Sequence, residues 1–249
     1  MRCRIPLVVL LVLIAPPRLF AQEGRVTISG YVGPSVLSFG QVEEDGRKDI
    51  AVYNLRGTPI GDYESFRYGL TAEGQIEYRF DRDLSMNVFG VYTRATSRAS
   101  FSDTAQNLSL ERLITSTDVG FDINYYIPPL IHGAEASIFV GLGRMVGRAE
   151  QTTNQSHKVK SADSTITIID QEAFAAYKKT KLYVRTGVKA SIPVMADIRI
   201  VVHALYKYAP LGSLDGTLRE FTLVRPHTTT IEFDFSTIDI KVGISYSFD

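Results

Sequence analysis

The sequence predicts an all-β chain that folds as an eight-stranded, antiparallel, up-and-down barrel. Three observations predict it. Apolar and polar residues alternate strictly over long runs, aromatic residues stand at both ends of the apolar face, and the connections between runs alternate between short and long. Alternation with a period of two is typical of β-strands, because successive side chains point to opposite faces of a sheet.

The N-terminus predicts an export signal over residues 1–21. A basic start precedes an unbroken apolar run at residues 7–14, and Ala21 precedes a polar stretch. An apolar core this short, followed by a small residue, is typical of a cleavable secretory signal rather than a membrane span. We therefore expect cleavage after Ala21 and a mature barrel domain over residues 22–249.

The strongest alternating run covers residues 66–80. Its apolar face carries Phe66 and Tyr68 at one end, Tyr78 and Phe80 at the other, and mainly small or aliphatic residues between them. A strand extends about 34 Å from Tyr68 to Tyr78, which at a tilt of about 40° spans about 26 Å along the membrane normal. This matches the apolar band of about 25 Å, bordered by aromatic girdles, that a transmembrane barrel presents to lipid.

Seven further runs predict strands of the same kind. They cover residues 25–39, 84–93, 119–127, 136–143, 182–192, 198–208 and 238–248. The aromatic residues predicted to form the two girdles are Phe66, Tyr68, Tyr78, Phe80, Tyr92, Tyr125, Tyr206, Tyr208, Tyr246 and Phe248.

The connections alternate in length. Those expected to be short turns cover residues 81–83, 128–135 and 193–197, and those expected to be long polar loops cover residues 40–65, 94–118, 144–180 and 209–237. Long extracellular loops and short periplasmic turns are the layout of an outer-membrane barrel, with both termini on the periplasmic side. Residues 164–170 alternate weakly, which leaves open an extended wall, a separate hairpin or a count of ten strands.

The C-terminal residues 241–248 resemble the closing strand of bacterial outer-membrane proteins. In that family a terminal aromatic strand is read by the barrel-assembly machinery, so the resemblance implies that Tyr246 and Phe248 form an assembly signal, although Asp249 follows them here. The predicted mature chain resembles the small OmpA-type and OmpW-type barrels in topology. We expect no peptidoglycan-binding domain after the barrel. The resemblance implies an outer-membrane location and contact with outer-membrane lipids or lipopolysaccharide.

The inward face of the predicted barrel carries charges of both signs. Eight strands enclose an interior just wide enough for side chains to fill. We therefore predict a transverse ion-pair network that plugs the lumen, because unpaired charges away from water are costly. Its predicted members are Glu73, Glu77, Asp122, Arg185, Lys189, Arg199, His203, Lys207 and Lys241.

Three alternatives for the lumen remain open. The charges can be solvated in a wet interior. The inward apolar residues can line a narrow channel of the OmpW type for small or hydrophobic solutes; these are Phe89, Val91, Phe139, Met145, Val201 and Leu205. The inward glycines can leave room for a thread of water; these are Gly69, Gly120, Gly141, Gly143, Gly187 and Gly243.

We expect a non-enzymatic surface protein that acts through its extracellular loops on an unidentified ligand. We expect no catalytic residue, cofactor, metal site or nucleic-acid partner. A less favoured alternative is a lipid A-modifying barrel enzyme using His157 or His227, which lie beside hydroxyl residues in predicted loops. Basic residues near the predicted outer rim suit anionic lipid headgroups or are ordinary solvated charges; they are Arg112, Arg144, Arg148, His157, Lys158 and Lys160.

Overall fold

The computed structural model describes residues 25–37, 68–102, 106–127, 133–161, 164–220 and 227–248. Ten strand segments occupy these ranges: β1 (Arg25–Leu37), β2 (Tyr68–Arg79), β3 (Leu84–Ser102), β4 (Gln106–Ile127), β5 (Glu135–Ser161), β6 (Ser164–Pro193), β7 (Ile198–Tyr208), β8 (Pro210–Glu220), β9 (His227–Asp234) and β10 (Thr237–Phe248). No helix in this part of the chain is long and apolar enough to cross a membrane.

Eight of the segments close into a ring. Each pairs antiparallel with its neighbours in the order β1, β2, β3, β4, β5, β6, β7, β10, and β1 pairs in turn with β10. The pairing of β1 with β10, which closes the ring, runs from Val26 opposite Phe248 to Leu37 opposite Thr237. Within the ring, each described strand therefore has a paired neighbour on both sides. The prediction of an eight-stranded antiparallel barrel is confirmed.

The remaining segments, β8 and β9, prolong two strands of the ring beyond it. Ala209 separates β7 from β8, and Phe235 with Ser236 separates β9 from β10. The amide of Phe235 donates to the carbonyl of Ala209 (3.1 Å), so the two interruptions lie side by side. β8 and β9 pair with each other as a hairpin. They therefore add height to the wall and do not make it a ten-membered ring.

The ladder between β6 and the β7–β8 strand has one interruption. Pairing between β6 and β7 stops at Val184 opposite Tyr208, and pairing between β6 and β8 resumes at Tyr177 opposite Gly216. The ammonium group of Lys181 donates to the carbonyl of Pro210 across this interval.

The expectation of long polar loops at residues 94–118, 144–180 and 209–237 is wrong for most of their length, because paired strands occupy these ranges. β3 and β4 remain paired up to Ser102 opposite Asn107, and β5 and β6 up to Ser161 opposite Ser164. Residues 164–170 are thus part of a hairpin with β5 and not an extra strand of the ring. A strand outside the membrane needs no apolar outer face, so the sequence there loses the period-two pattern while the backbone stays paired. Residues 40–65 lie outside the described residues.

The distribution of side chains is inverted relative to a water-soluble barrel. The largest fully buried side chains include Arg185, Lys241 and His203, whereas aliphatic side chains of the same strands are exposed, such as Val242 and Val184. A continuous exposed band of this kind is the surface that a barrel presents to lipid.

Pro34 lies in β1 where that strand closes the ring. The ladder with β10 lacks partners at Gly33 and Pro34, whereas the ladder with β2 continues through both residues. Proline has no N–H to donate, so β1 keeps its full pairing on one side and loses part of it on the other.

Candidate functional site

The candidate site is a layer of buried charges that crosses the lumen. Its centre is Arg185 on β6. Arg185 donates through Nε to Asp122 Oδ1 (2.7 Å), through Nη2 to Asp122 Oδ2 (2.5 Å) and through Nη1 to Glu73 Oε1 (2.8 Å). All three residues are buried. The two-point contact with Asp122 fixes the plane of the guanidinium group, because its paired donors match the geometry of a carboxylate.

The strands that carry these residues make the layer transverse. Glu73 lies on β2 and Arg185 on β6, four places apart in a ring of eight, and therefore on opposite walls. Asp122 comes from β4, between them. The central ion pair thus joins the two walls of the barrel.

Glu73 also accepts a hydrogen bond from the fourth side of the ring. Lys241 on β10 donates through Nζ to Glu73 Oε2 (2.5 Å) and lies 3.1 Å from Asp239 Oδ2. The hydroxyl of Ser35 on β1 donates to Asp239 Oδ1 (2.5 Å). Each buried charge in this group therefore has a partner of opposite sign, which is the condition under which burial of ions is tolerated.

Aromatic rings pack against the charges and fill the space around them. The guanidinium carbon of Arg185 lies 3.2 Å from the centre of the Phe89 ring and 5.7 Å from that of Phe139. The His203 ring meets Phe139 and Tyr31 edge to face, with centroids 4.9 and 5.3 Å apart. Cation–π contacts of this kind strengthen when water is excluded.

A second group of polar contacts lies below the centre, toward the end of the barrel that carries the short turns. Lys189 donates to Gln75 Oε1 (2.8 Å) and lies 3.9 Å from Glu77. Glu77 accepts from Ser85 (2.7 Å) and from the hydroxyl of Tyr126. A cavity of about 50 Å³ opens beside this group. Its lining is mostly hydroxyl and charged side chains, among them Thr27, Ser29, Ser191, Arg199, Ser245 and Ser247.

Arg199 lies apart from the central layer, at the mouth of the barrel nearest the short turns. Its Nη2 is 3.6 Å from Glu135 and donates to the carbonyl of Gly133 (2.8 Å). Arg79 approaches the same Glu135 (3.4 Å) and stacks over the ring of Tyr126, 3.7 Å from its centre. These side chains narrow the mouth below the cavity.

Above the centre, the side chains in the lumen change from mainly charged to mainly apolar. Lys207 pairs with Asp118 (3.0 Å), and beyond this pair apolar side chains pack beside a few buried polar ones, among them Ser116 and Arg112. One buried cluster consists of Leu37, Phe89, Val91, Ala95, Ile114, Met145, Ala149, Tyr183, Ala209 and Phe235. The inward apolar residues expected as an open channel lining are all buried; they are Phe89, Val91, Phe139, Met145, Val201 and Leu205.

Four of the six inward glycines lie against aromatic rings, namely Gly120, Gly143, Gly187 and Gly243, so these rings fill the space beside them. A Cβ added to Gly143 would lie 2.5 Å from the Tyr183 ring, and one added to Gly187 would lie 2.7 Å from Phe139. A Cβ added to Gly120 would likewise lie too close to the Phe89 ring. Glycine beneath an aromatic neighbour is a recurring way to fit a large ring against a sheet.

The structure brings together eight of the nine predicted lumen residues, and Arg199 is the exception. Sequence reasoning missed Asp118, the partner of Lys207, because it was assigned to a loop end. Counting back in steps of two from Asp122 would have placed it on the inward face. Gln75 and Tyr126 were also missed as partners of Lys189 and Glu77.

The predicted girdle residues within the described part of the chain lie on the outer side of the strands. Tyr78 is half-buried against Phe80, with centroids 5.0 Å apart, and Tyr246 and Phe248 meet edge to face at 4.7 Å. The exposed members are Tyr68, Phe80, Tyr92, Tyr125, Tyr206, Tyr208, Tyr246 and Phe248. Phe66 lies outside the described residues.

The predicted basic rim is only partly external. Arg144 and Arg148 are exposed, but Arg112 is buried inside the barrel, so its assignment to the rim is wrong. Its parity on β4 places it on the inward face with Ile114. The side chains of His157, Lys158, Lys160 and His227 lie outside the described part of the structure. Among the described residues, no group of three or more His, Cys, Asp or Glu is placed to hold a metal ion.

No protein-family model matches the sequence, and no curated protein is significantly similar to it. Solved structures do match. The chain is similar to a major outer membrane protein from Thermus thermophilus, with a TM-score of 0.53 and 12% identity over 91% of this chain and 100% of that one. It is also similar to the outer membrane protein OprG from Pseudomonas aeruginosa, with a TM-score of 0.50 and 8% identity over 90% and 96%.

At these identities the likeness concerns the fold. The closed ring of eight antiparallel strands and the exposed apolar band agree with it. The chain therefore has the fold of the small eight-stranded outer-membrane barrels.

Proposed function

We propose that the protein is a non-enzymatic outer-membrane barrel whose lumen is closed, and that it acts at the cell surface through the hairpins above the membrane. Residues 1–21 act as its export signal, and the termini of the barrel face the periplasm. The observation that carries the proposal is the ion pair between Glu73 and Arg185 on opposite walls.

The central layer supports closure because it leaves little unpaired charge for a passing ion to use. The four charged residues of this layer are buried, and their contacts form a chain across the lumen. Lys241 contacts Glu73, Glu73 contacts Arg185, and Arg185 contacts Asp122. A solute would have to separate these pairs, and each separation exposes a buried charge at a cost of several kcal/mol, about 3–5 for a buried pair.

The apolar cluster above this layer supports closure by a second means. Phe89, Met145 and Tyr183 are buried in it, with none more than 3% exposed. Hydrated ions are excluded from such a region because the apolar side chains offer no groups to replace their water.

The tall hairpins support a role outside the membrane. β3 continues ten residues beyond Tyr92, the last aromatic residue on its outer face, which extends it by about 34 Å along the strand. β5 and β6 continue further still, to Ser161 and Ser164. Paired strands of this length carry described residues well above the apolar band, where they are available for contact with a ligand, a host surface or a phage.

A permeation assay tests the proposal against its rivals. Protein purified from the membranes of an expressing Gram-negative host is placed in liposomes, and swelling is followed in arabinose and in larger sugars. We expect swelling no faster than in empty liposomes. Swelling with a dependence on solute size would contradict closure and favour the narrow channel.

The enzymatic rival predicts a different result. Lipid A from the same expressing cells is analysed by mass spectrometry, beside lipid A from cells without the protein. We expect identical masses, and the gain or loss of an acyl chain would contradict a non-enzymatic role.

A further inference from the structure

Basic side chains cluster on the outer face of one side of the barrel, near its extracellular edge. Arg94 on β3, Arg148 on β5 and Lys178 on β6 occupy one row of the sheet, because Arg94 pairs with Thr115, Thr115 with Arg148, and Arg148 with Lys178. All three side chains are exposed. Arg144 lies four residues below Arg148 on the same face of β5 and is also exposed. We call these four residues the outer basic patch.

The patch borders the apolar band. The outward residues next to Arg144 on the neighbouring strands are Val119 and Leu182, which are 56% and 74% exposed. Tyr92 lies one outward position below Arg94 on β3 and is also exposed. The patch therefore lies at the height at which lipid headgroups meet the acyl chains, with long side chains that can reach upward from the apolar surface.

The charge of the patch is only partly compensated within the protein. Arg148 lies 3.7 Å from Glu150. Among the described residues no carboxylate lies within 4.0 Å of the side-chain nitrogens of Arg94, Arg144 or Lys178. Arg148 and Lys178 are moreover directly opposite each other on one face, an arrangement of like charges that destabilises a sheet unless an anion lies between them.

Among the residues whose side chains are described, the patch lies on one side of the barrel only. Toward the extracellular edge, the outward face of β2 and β7 carries exposed aromatic residues in place of charges: Tyr68, Tyr206 and Tyr208. A general requirement for solubility at the rim would not select one side. The asymmetry points to a specific anionic partner beside β3 to β6.

We propose that the outer basic patch binds the phosphate groups of lipids in the outer leaflet, and in particular a glycolipid that carries phosphate monoesters. Neighbouring strands are about 4.8 Å apart, so Arg148 and Lys178 can hold one phosphate between them. Arg144 lies about 13 Å further along β5 and is available to a second phosphate. Arginine suits this role because its paired donors match phosphate oxygens. The proposal rests on the outer-membrane location proposed above.

The test compares binding of two lipids by two double variants. One variant is Arg148→Gln with Lys178→Gln. The control is Arg82→Gln with Arg98→Gln, which removes the same charge from an exposed turn and from a surface ion pair. Each protein, in neutral detergent micelles, is titrated with bisphosphorylated lipid A and with the same lipid after removal of both phosphates, and bound lipid is counted by native mass spectrometry.

We expect the native protein and the control to bind the phosphorylated lipid with similar dissociation constants. The patch variant should bind it roughly tenfold or more weakly, since each basic residue near a lipid surface contributes about 1 kcal/mol. All three proteins should bind the dephosphorylated lipid equally and weakly. Equal binding of both lipids by the native protein, or unchanged binding by the patch variant, would overturn the proposal.

A separate measurement distinguishes failure of this proposal from failure of the proposed function. Insertion of each protein into phosphatidylcholine vesicles is followed by flotation and by the shift in gel mobility on heating. Native protein that inserts but does not discriminate between the lipids overturns only the lipid proposal. Native protein that fails to insert overturns the outer-membrane location, and the lipid proposal with it.

Discussion

Arg185 and Glu73 lie on opposite walls of the barrel, yet their side chains meet at 2.8 Å in the middle of the lumen. The same guanidinium group donates two hydrogen bonds to Asp122 and stacks over the ring of Phe89. One arginine therefore ties together strands from three sides of the ring, and its removal leaves two carboxylates without their main partner.

Replacing Arg185 by methionine should destabilise the barrel by about 3–5 kcal/mol, because Asp122 would remain buried without its ion-pair partner and Glu73 would keep only Lys241 as a close one. Urea unfolding in lipid vesicles, followed by tyrosine fluorescence, measures the change. Arg98→Met is the matched control, since Arg98 pairs with Glu111 at 2.9 Å but is exposed; it should cost less than about 1 kcal/mol. Equal effects of the two substitutions would contradict a structural role for the buried layer.

A side chain at Gly143 should be poorly tolerated. The Cβ of Gly143→Val would lie 2.5 Å from the Tyr183 ring, and overpacking of this kind costs about 1–3 kcal/mol. Gly74→Val is the control, because no atom lies within 4 Å of its added Cβ. In the same unfolding assay we expect a lower free energy of unfolding for Gly143→Val than for Gly74→Val. If Gly143→Val were as stable as Gly74→Val, the interior would be looser than described here.

The exposed apolar band makes a prediction about charge on the outer face. Val242 is 56% exposed and stands between Val32 and Val202 on the neighbouring strands. Val242→Arg should cost about 2–4 kcal/mol, the cost of a basic residue near the middle of a bilayer. Ser100→Arg lies on the outer face of β3 above the band and should cost little. A neutral effect at Val242 would argue against a lipid-facing surface.

Tyr246 and Phe248 are predicted to be read during assembly of the barrel. Replacement of both by alanine should lower the amount of protein in the outer membrane severalfold and raise the amount of unfolded protein in the periplasm. The same replacement of Tyr206 and Tyr208, which are exposed to a similar degree on the adjacent strand, controls for the loss of aromatic surface. Equal losses from the two pairs would contradict a specific assembly signal.

Much of the ring could be predicted from sequence, because lipid on one side and a polar lumen on the other impose alternation. The charges of Glu73, Asp122 and Arg185 were predicted to face inward for that reason. The tall hairpins could not be predicted, since the outer face of the strands there meets water and carries polar side chains, so that the alternation of apolar and polar residues is lost. The pairing of Lys207 with Asp118 was missed with them, because β4 begins at Gln106 and not at Val119.

The fit of aromatic rings over glycines depends on strand register. Gly143 lies opposite Tyr183, and Gly120 opposite Phe89, and a shift of one residue would turn each ring to the outer face. Sequence alone gives the inward parity of each residue but not its partner across the sheet. The packing of rings at these glycines could therefore be described only from the structure.

The most direct test of closure is conductance in a planar bilayer. The native protein is compared with the double variant Glu73→Ala with Arg185→Ala, and with Arg98→Ala with Glu111→Ala as a matched pair on the outer surface. We predict no discrete steps from the native protein or the surface variant, and discrete steps from the lumen variant. Steady steps from the native protein would contradict a lumen closed by its ion pairs.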